Sequence, residues 1–249
     1  MAILDTSMIS APTRPAFAPL ERDTMQERVN VELRQAVMRG RFRPGEVLIV
    51  RALSDQFGTS HMPVRDALSR LVAEQALEVL PSRSVAVPVL SRERCEEIQE
   101  MRELLEGHAA ALATTRISDA DLDLMHMLGQ AMRNAILARD AEGYVTTNWR
   151  FHFTLYAAAE RPTMLHMIES LWLQIGPSLR GCLDDVVSHP EPAVEPNVEH
   201  HDEMLAALRR RDPEGVRRGI FGDLRSLTDY LITRLLTRPA APRPVRRSV

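Results

Sequence analysis

The chain has 249 residues, enough for one large domain or two ordinary ones, each able to bury a core. Its 31 basic residues are all arginine and are outnumbered by 34 acidic ones; the net charge of -3 excludes a protein that is basic all over, so any contact with a polyanion has to be local. Two cysteines, Cys95 and Cys182, exclude a disulfide framework and point to a reducing compartment.

"MAILDTSMIS" shows no basic stretch leading into a long apolar run, and no segment reaches the apolar length of a membrane helix, so a cytoplasmic protein with no membrane partner is expected. Residues 1–20, with Pro12, Pro15 and Pro19, read as a disordered arm. Thr24 and Glu27 form a capping-box pair ahead of Met25, Val29, Leu33 and Val37, which predicts a helix of about four turns. "GRFRPGEVL", 40–48, stops that helix at Gly40 and turns at Pro44-Gly45. "RALSDQFG", 51–58, places Leu53 and Phe57 on one face and ends in Gly58, a good C-cap.

A second short helix follows at once. Ser60 is its expected N-cap, Pro63 falls in the first turn where a missing N–H costs little, and Val64, Ala67, Leu68, Leu71 and Val72 form one apolar stripe. His61, Met62, Arg65, Ser69 and Arg70 lie off the stripe, so the N-terminal end turns polar and cationic groups outward. A helix entering a DNA groove has that character, and so does an ordinary solvated face. "LEVLPSRSVAVPVL" then alternates Leu77, Val79, Val85, Val87 and Val89 about a turn with Arg83 at its tip, a hairpin pattern. Three helices and a hairpin over 21–90 make a winged helix-turn-helix.

Beyond Ser91 strand alternation disappears. Helical segments are predicted at about 91–115, 118–139, 141–160, 162–187, 195–211 and 213–236, divided by Ser118-Asp119, Arg161-Pro162, the Pro190 to Pro196 run and Asp212-Pro213. The fold class is therefore mainly α: the winged unit, then an all-helical bundle over 91–237, with 238–249 a disordered basic tail. Met125, Met127, Met132, Met164 and Met167 read as core packing, His166 as a core histidine and His200 as a surface one.

The stretches "PGEVL" and "ALSDQFGTSHMPVRDALSRL", with the hairpin after them, resemble the winged-helix domain of GntR-family bacterial transcription regulators. That family's pattern runs P-G-x-x-L, then L-A-x-x-x-G-V-S-R-T-P-V-R-E-A-L-x-x-L, and its P-V-R-[DE]-A-L core matches Pro63 to Leu68. The resemblance implies DNA contacts from Arg51, Ser60, Arg65 and the wing-tip Arg83, with His61 where the family carries arginine. Met62 stands in place of its threonine, Arg51 in place of an acidic residue and Ser84 in place of the wing glycine.

The helical part resembles the FCD ligand-binding domain of the FadR-type GntR subfamily. "MRELLEGHAAALA" looks like its R-x-x-L-E opening helix, "NWRFHFTLYAAAERPTML" like its D-x-x-F-H-x-x-L segment, and "EHHDEMLAALRRRDPEGVRRGIFGDL" like its H-x-x-I-L-x-A-L-x-x-x-D segment. The resemblance implies a helical bundle that forms a homodimer, holds a divalent metal with one carboxylate and three histidines, and binds a small organic acid beside it. A branch that binds acyl-CoA lacks the metal. The family's aspartate falls on Asn148, its first two histidines on His152 and His201, and its last histidine on Asp223, while its opening-helix arginine is Arg102.

Asn148 and His152 are i and i+4, neighbours on one helix face. Two imidazoles, one carboxylate and one amide oxygen suit zinc, nickel, manganese or iron; the same groups can also line a polar effector cavity. Arg102 either binds an effector carboxylate or pairs with Glu106 one turn on. The expected function is a DNA-binding transcriptional regulator, a repressor, whose operator affinity responds to a small carboxylate effector, and not an enzyme. The competing readings are a metal-dependent hydrolase using His152, His201 and Asp223, and a DNA-binding protein indifferent to effectors.

Overall fold

A computed structural model describes residues 25–188 and 198–235. The disordered arm expected at 1–20, Thr24 as a cap, the Pro190 to Pro196 break and the tail from 238 lie outside the described residues. Helix α1 (Met25–Met38) buries Val29, Leu33 and Val37, the stripe read from their spacing. It packs on α3 (His61–Ala73), which buries Val64, Ala67, Leu68 and Leu71. Between them α2 (Val50–Phe57) ends on Gly58, whose φ of 61° is the left-handed conformation that glycine adopts without a Cβ penalty. Ser60 occupies the N-cap position of α3 in extended conformation, but its side chain makes no capping hydrogen bond.

The hairpin forms from β2 (Glu78–Val79) and β3 (Val85–Ala86), paired antiparallel. Its turn closes through Leu80 N–H to Ser84 O at 2.8 Å and Arg83 N–H to Leu80 O at 2.8 Å. A third strand, β1 (Val47–Leu48), lies in the stretch whose sequence predicts only a turn; it pairs with β3 and makes the order β1-β3-β2. A two-residue strand has too little alternation to announce itself, and only its partner defines it.

The bundle comprises α4 (Arg92–Ala113), α5 (Asp119–Leu137), α6 (Ala141–Ala157), α7 (Pro162–Ser188), α8 (Val198–Arg209) and α9 (Pro213–Tyr230), the last continuing as a π-helical turn, Leu231–Leu235. Several starts carry true side-chain caps: Ser91, Ser118, Asp140 and Asp212 accept from Arg94, Asp121, Gly143 and Gly215 N–H respectively. Two sequence expectations fail here. Met127 and Met167 are exposed, while Met125 and Met132 are fully buried. His166 is also exposed, 3.9 Å from Glu169, so it is not a core histidine. Each sits on the outer side of its helix, and burial depends on which face the neighbouring helices cover. His200 is partly exposed and meets Glu203 at 3.1 Å.

The two units share one apolar core and meet where the end of α1 lies on α7. Gly176 lets the backbones touch: a Cβ there would stand 2.3 Å from Met38 O. Gly40, at φ +63°, similarly leaves no room for a Cβ, which would lie 2.2 Å from Arg180 Cβ. Arg34 links the end of α3 at Glu74 to Glu169 of α7, the latter at 3.5 Å.

Candidate metal centre and DNA-facing surface

Four side chains from three helices converge in the bundle. Asn148 and His152 come from successive turns of α6, His201 from α8 and Asp223 from α9, and all four are buried. His201 Nε2 lies 3.0 Å from Asn148 Oδ1 and 3.3 Å from His152 Nε2; His152 Nε2 lies 3.2 Å from Asp223 Oδ2, and His201 Nε2 lies 3.9 Å from Asp223 Oδ1. Ligand atoms sharing one first-row ion, each bonded at about 2.0–2.2 Å, are spaced on this scale.

The surrounding hydrogen bonds orient the His152 ring. Burial, then the charge of Glu106 and its hydrogen bond, hold the Tyr156 phenol well above its ordinary pKa, so it keeps its proton and donates it to Glu106. The phenol oxygen, 3.1 Å from His152 Nδ1, is then the acceptor for an Nδ1–H. That tautomer leaves a lone pair on Nε2, aimed at the Asp223 carboxylate. In that tautomer lone pair meets lone pair at 3.2 Å, a gap that a metal ion fills; with a proton on Nε2 the same contact is a hydrogen bond to Asp223. Burial opposes ionisation of Asp223, yet His201, the hydrogen bond and charge of His152, and Arg102 together bring its carboxyl down to about 2. The donor set thus fits a divalent ion, with a carboxylate–tyrosine–histidine relay behind one ligand.

Arg102 is buried and paired with Glu106, Nε to Oε1 at 2.6 Å, the pairing alternative of the sequence reading. Its guanidinium also stacks 4.7 Å from the Trp172 ring centroid, and Trp172 Nε1–H donates to Glu106 at 3.1 Å. Arg102 still faces the candidate site: with Asn148 and Asp223 it lines a cavity of about 20 Å³. Sequence reasoning did not reach Tyr156, Trp172 or the other cavity residues Met38 and Trp149. Only Tyr156 had a signal, since it sits one turn beyond His152.

The remaining sequence-predicted residues, Arg51, Ser60, His61, Arg65 and Arg83, belong to the winged unit and are all exposed. His61 and Arg65 share one face at the start of α3, while Arg51 is in the first turn of α2. Arg83 sits at the wing tip with φ 62°. Arg70, further along α3, is instead tied to Asp66 at 3.1 Å. Among the described residues no helix is long and apolar enough to cross a membrane.

Residues 25–87 match the profile described as bacterial regulatory proteins, gntR family, and residues 97–225 match the FCD domain. The HTH-type transcriptional regulator McbR of Escherichia coli K12 is 32% identical over 203 residues, covering 82% of this chain and 90% of that protein. The HTH-type transcriptional repressor RspR of the same strain is 23% identical over 197 residues, 79% of this chain and 84% of its own. The solved structure of E. coli McbR/YncC superposes with a TM-score of 0.77 at 30% identity, over 86% of this chain and 99% of that one. A GntR regulator from Rhodococcus sp. RHA1 shares the fold, with a TM-score of 0.66 at 20% identity over 83% and 97% of the two chains. These relatives are transcriptional regulators, and nothing among them favours a hydrolase.

Proposed function

The chain belongs to the GntR family of bacterial transcriptional regulators, in the branch with an FCD domain, and on that premise we propose that it is a repressor released from its operator by a small carboxylate effector. The observation that carries the effector half is the buried cluster of Asn148, His152, His201 and Asp223, in which the ligand atoms of the two histidines and the aspartate lie within 4.8 Å of one another, with the Asn148 amide oxygen 3.0 Å from His201. The carboxylate has changed helices, from the α6 position where the family keeps it to Asp223 on α9, so the set retains one anionic ligand. Zinc, nickel, manganese or iron suits two imidazoles with two oxygens. When bound, such an ion acts as a Lewis acid that anchors an organic acid. Arg102 lies beside that position and contributes positive charge, oriented by Glu106 and Trp172.

For DNA, the reading uses a homodimer acting in the cytoplasm, with one α3 from each protomer in successive major grooves. His61 and Arg65 present the start of α3 to base edges and phosphates, Ser60 and Arg51 meet the flanking backbone, and Arg83 reaches from the wing. An arginine suits guanine or a phosphate, whereas the imidazole of His61 offers fewer donors than a guanidinium fork. The experiment has two arms. Elemental analysis of the purified untagged protein, with melting before and after a chelator, is expected to give near-stoichiometric metal and a drop in melting temperature that His152→Ala abolishes. Footprinting on selected genomic fragments is expected to give a pseudopalindromic site whose occupancy falls when an effector acid is added. Absence of metal with no chelator shift overturns the metal reading, and occupancy indifferent to every organic acid tried favours an effector-independent DNA binder.

A further inference from the structure

The cavity beside the candidate metal ligands is not lined by the helical domain alone. Arg102, Asn148 and Asp223 form its polar lining, and most of the remainder is apolar, with Trp149, Trp172, Leu224 and, from the winged unit, Met38. We propose that the effector compartment is shared between the two domains, that Met38 is its movable wall, and that its ligand is a monocarboxylate bearing a short aliphatic or aromatic substituent. This rests on the effector reading given above.

Size makes the first argument. About 20 Å³ is room for roughly one water, so even a small carboxylate has to enlarge the compartment. The second concerns which wall yields. The other lining residues belong to α4, α6, α7 and α9, which pack against one another in one bundle, whereas Met38 ends α1 of the winged unit. It is held by weak links: Trp149 Nε1–H donates to its Sδ at 2.8 Å, and the Arg39 guanidinium lies 4.9 Å from the Trp149 ring centroid. A thioether is a poor acceptor, and the ion pairs that cross this boundary, Arg41 to Glu142 at 3.8 Å and Arg34 to Glu169 at 3.5 Å, are both long.

Arg180 also reaches the lining, but Glu142 and Asp184 hold it, the latter at 2.7 Å, and Glu106 holds Arg102 at 2.6 Å, so both guanidiniums are already neutralised and the metal position is left to anchor a single carboxylate. One carboxylate at the metal ligands, and an apolar end against Trp149 and Met38, is the match. Trp149 directly follows Asn148 on α6, and α1 is bound to α3 through Gln26 to Asp66 and Arg34 to Glu74. Displacing Met38 therefore shifts the recognition helix with it.

The test is calorimetric titration of the full-length protein, loaded with zinc, using acetate, butyrate, hexanoate and phenylacetate. Affinity is expected to rise from acetate to the longer acids, and Met38→Ala, which removes the wall in advance, is expected to bind hexanoate several-fold more tightly. Should the alanine variant fail to fold, Met38→Leu keeps the apolar bulk without the sulfur acceptor and is also expected to bind more tightly than wild type. Acetate binding as well as hexanoate, or Met38 variants indistinguishable from wild type, overturns the shared compartment. In that case, acid binding that is lost in His152→Ala leaves the effector site itself intact. If no acid binds either wild type or Met38→Ala, the effector reading falls and this inference falls with it.

Discussion

Replacing Glu106 by glutamine tests the buried ion pair that underlies the candidate site. Glu106 is fully buried and accepts from Arg102 Nε at 2.6 Å, from Trp172 Nε1 at 3.1 Å and from the Tyr156 hydroxyl. Glutamine keeps the size but removes the charge, leaving the buried guanidinium without its counterion, and its amide group turns a donor toward Arg102 or Tyr156. Breaking one partner of a buried pair costs about 3–5 kcal/mol, and for a chain of this length each kcal/mol lowers the melting temperature by roughly 2–4 °C. Glu106→Gln is therefore expected to melt about 6–20 °C below wild type in the same buffer. Adding Arg102→Met removes the stranded charge and is expected to return part of the loss, because the penalty lies in the unpaired ion more than in the missing attraction. Differential scanning calorimetry of the four proteins in this cycle reads both effects. A loss under about 1 kcal/mol in the single variant, or a double variant that is additively worse, refutes the argument that Arg102 depends on Glu106.

Three further outcomes are expected. Arg65→Ala should abolish operator binding at moderate salt in a mobility-shift assay while scattering and circular dichroism show an intact fold; retained affinity would remove α3 as the recognition helix. Tyr156→Phe deletes the acceptor for His152 Nδ1–H, and metal affinity in a competition titration should fall by about 10–100-fold; an unchanged affinity would mean that the relay does not orient the ligand. In chelator-treated protein, the Asp223 carboxyl is depressed from 3.8 to about 2, so its stabilising contribution is fully present above pH 3.8 and fades as pH falls toward 2. Asp223→Asn should therefore be less stable than wild type at pH 5, with the gap in urea midpoint closing on acidification; a gap that widens there would falsify the assignment.

The local pattern of residues was enough for the winged unit and for most helix boundaries. The stripe of Val64, Ala67, Leu68 and Leu71, the left-handed Gly58 and the caps at Ser118 and Asp212 are short-range features, set by neighbours within a turn or two. The pairing of Asn148 with His152 is of the same kind, because helical spacing alone puts them on one face. The approach of His201 and Asp223 was legible only through the family resemblance, since nothing local ties α8 and α9 to α6.

Tertiary packing decided the rest. It placed β1 on the far side of β3, turned Met127, Met167 and His166 outward, and surrounded the Arg102–Glu106 pair with Trp172 and Tyr156 from two other helices. It also brought Met38 of α1 against Trp149, 111 residues further along, in the cavity beside the metal ligands. A side chain's own helix fixes its angular position, but which angle is buried, and beside what, is fixed by helices distant in sequence. That choice is made by the burial of apolar surface over the whole bundle, which no local window of sequence contains.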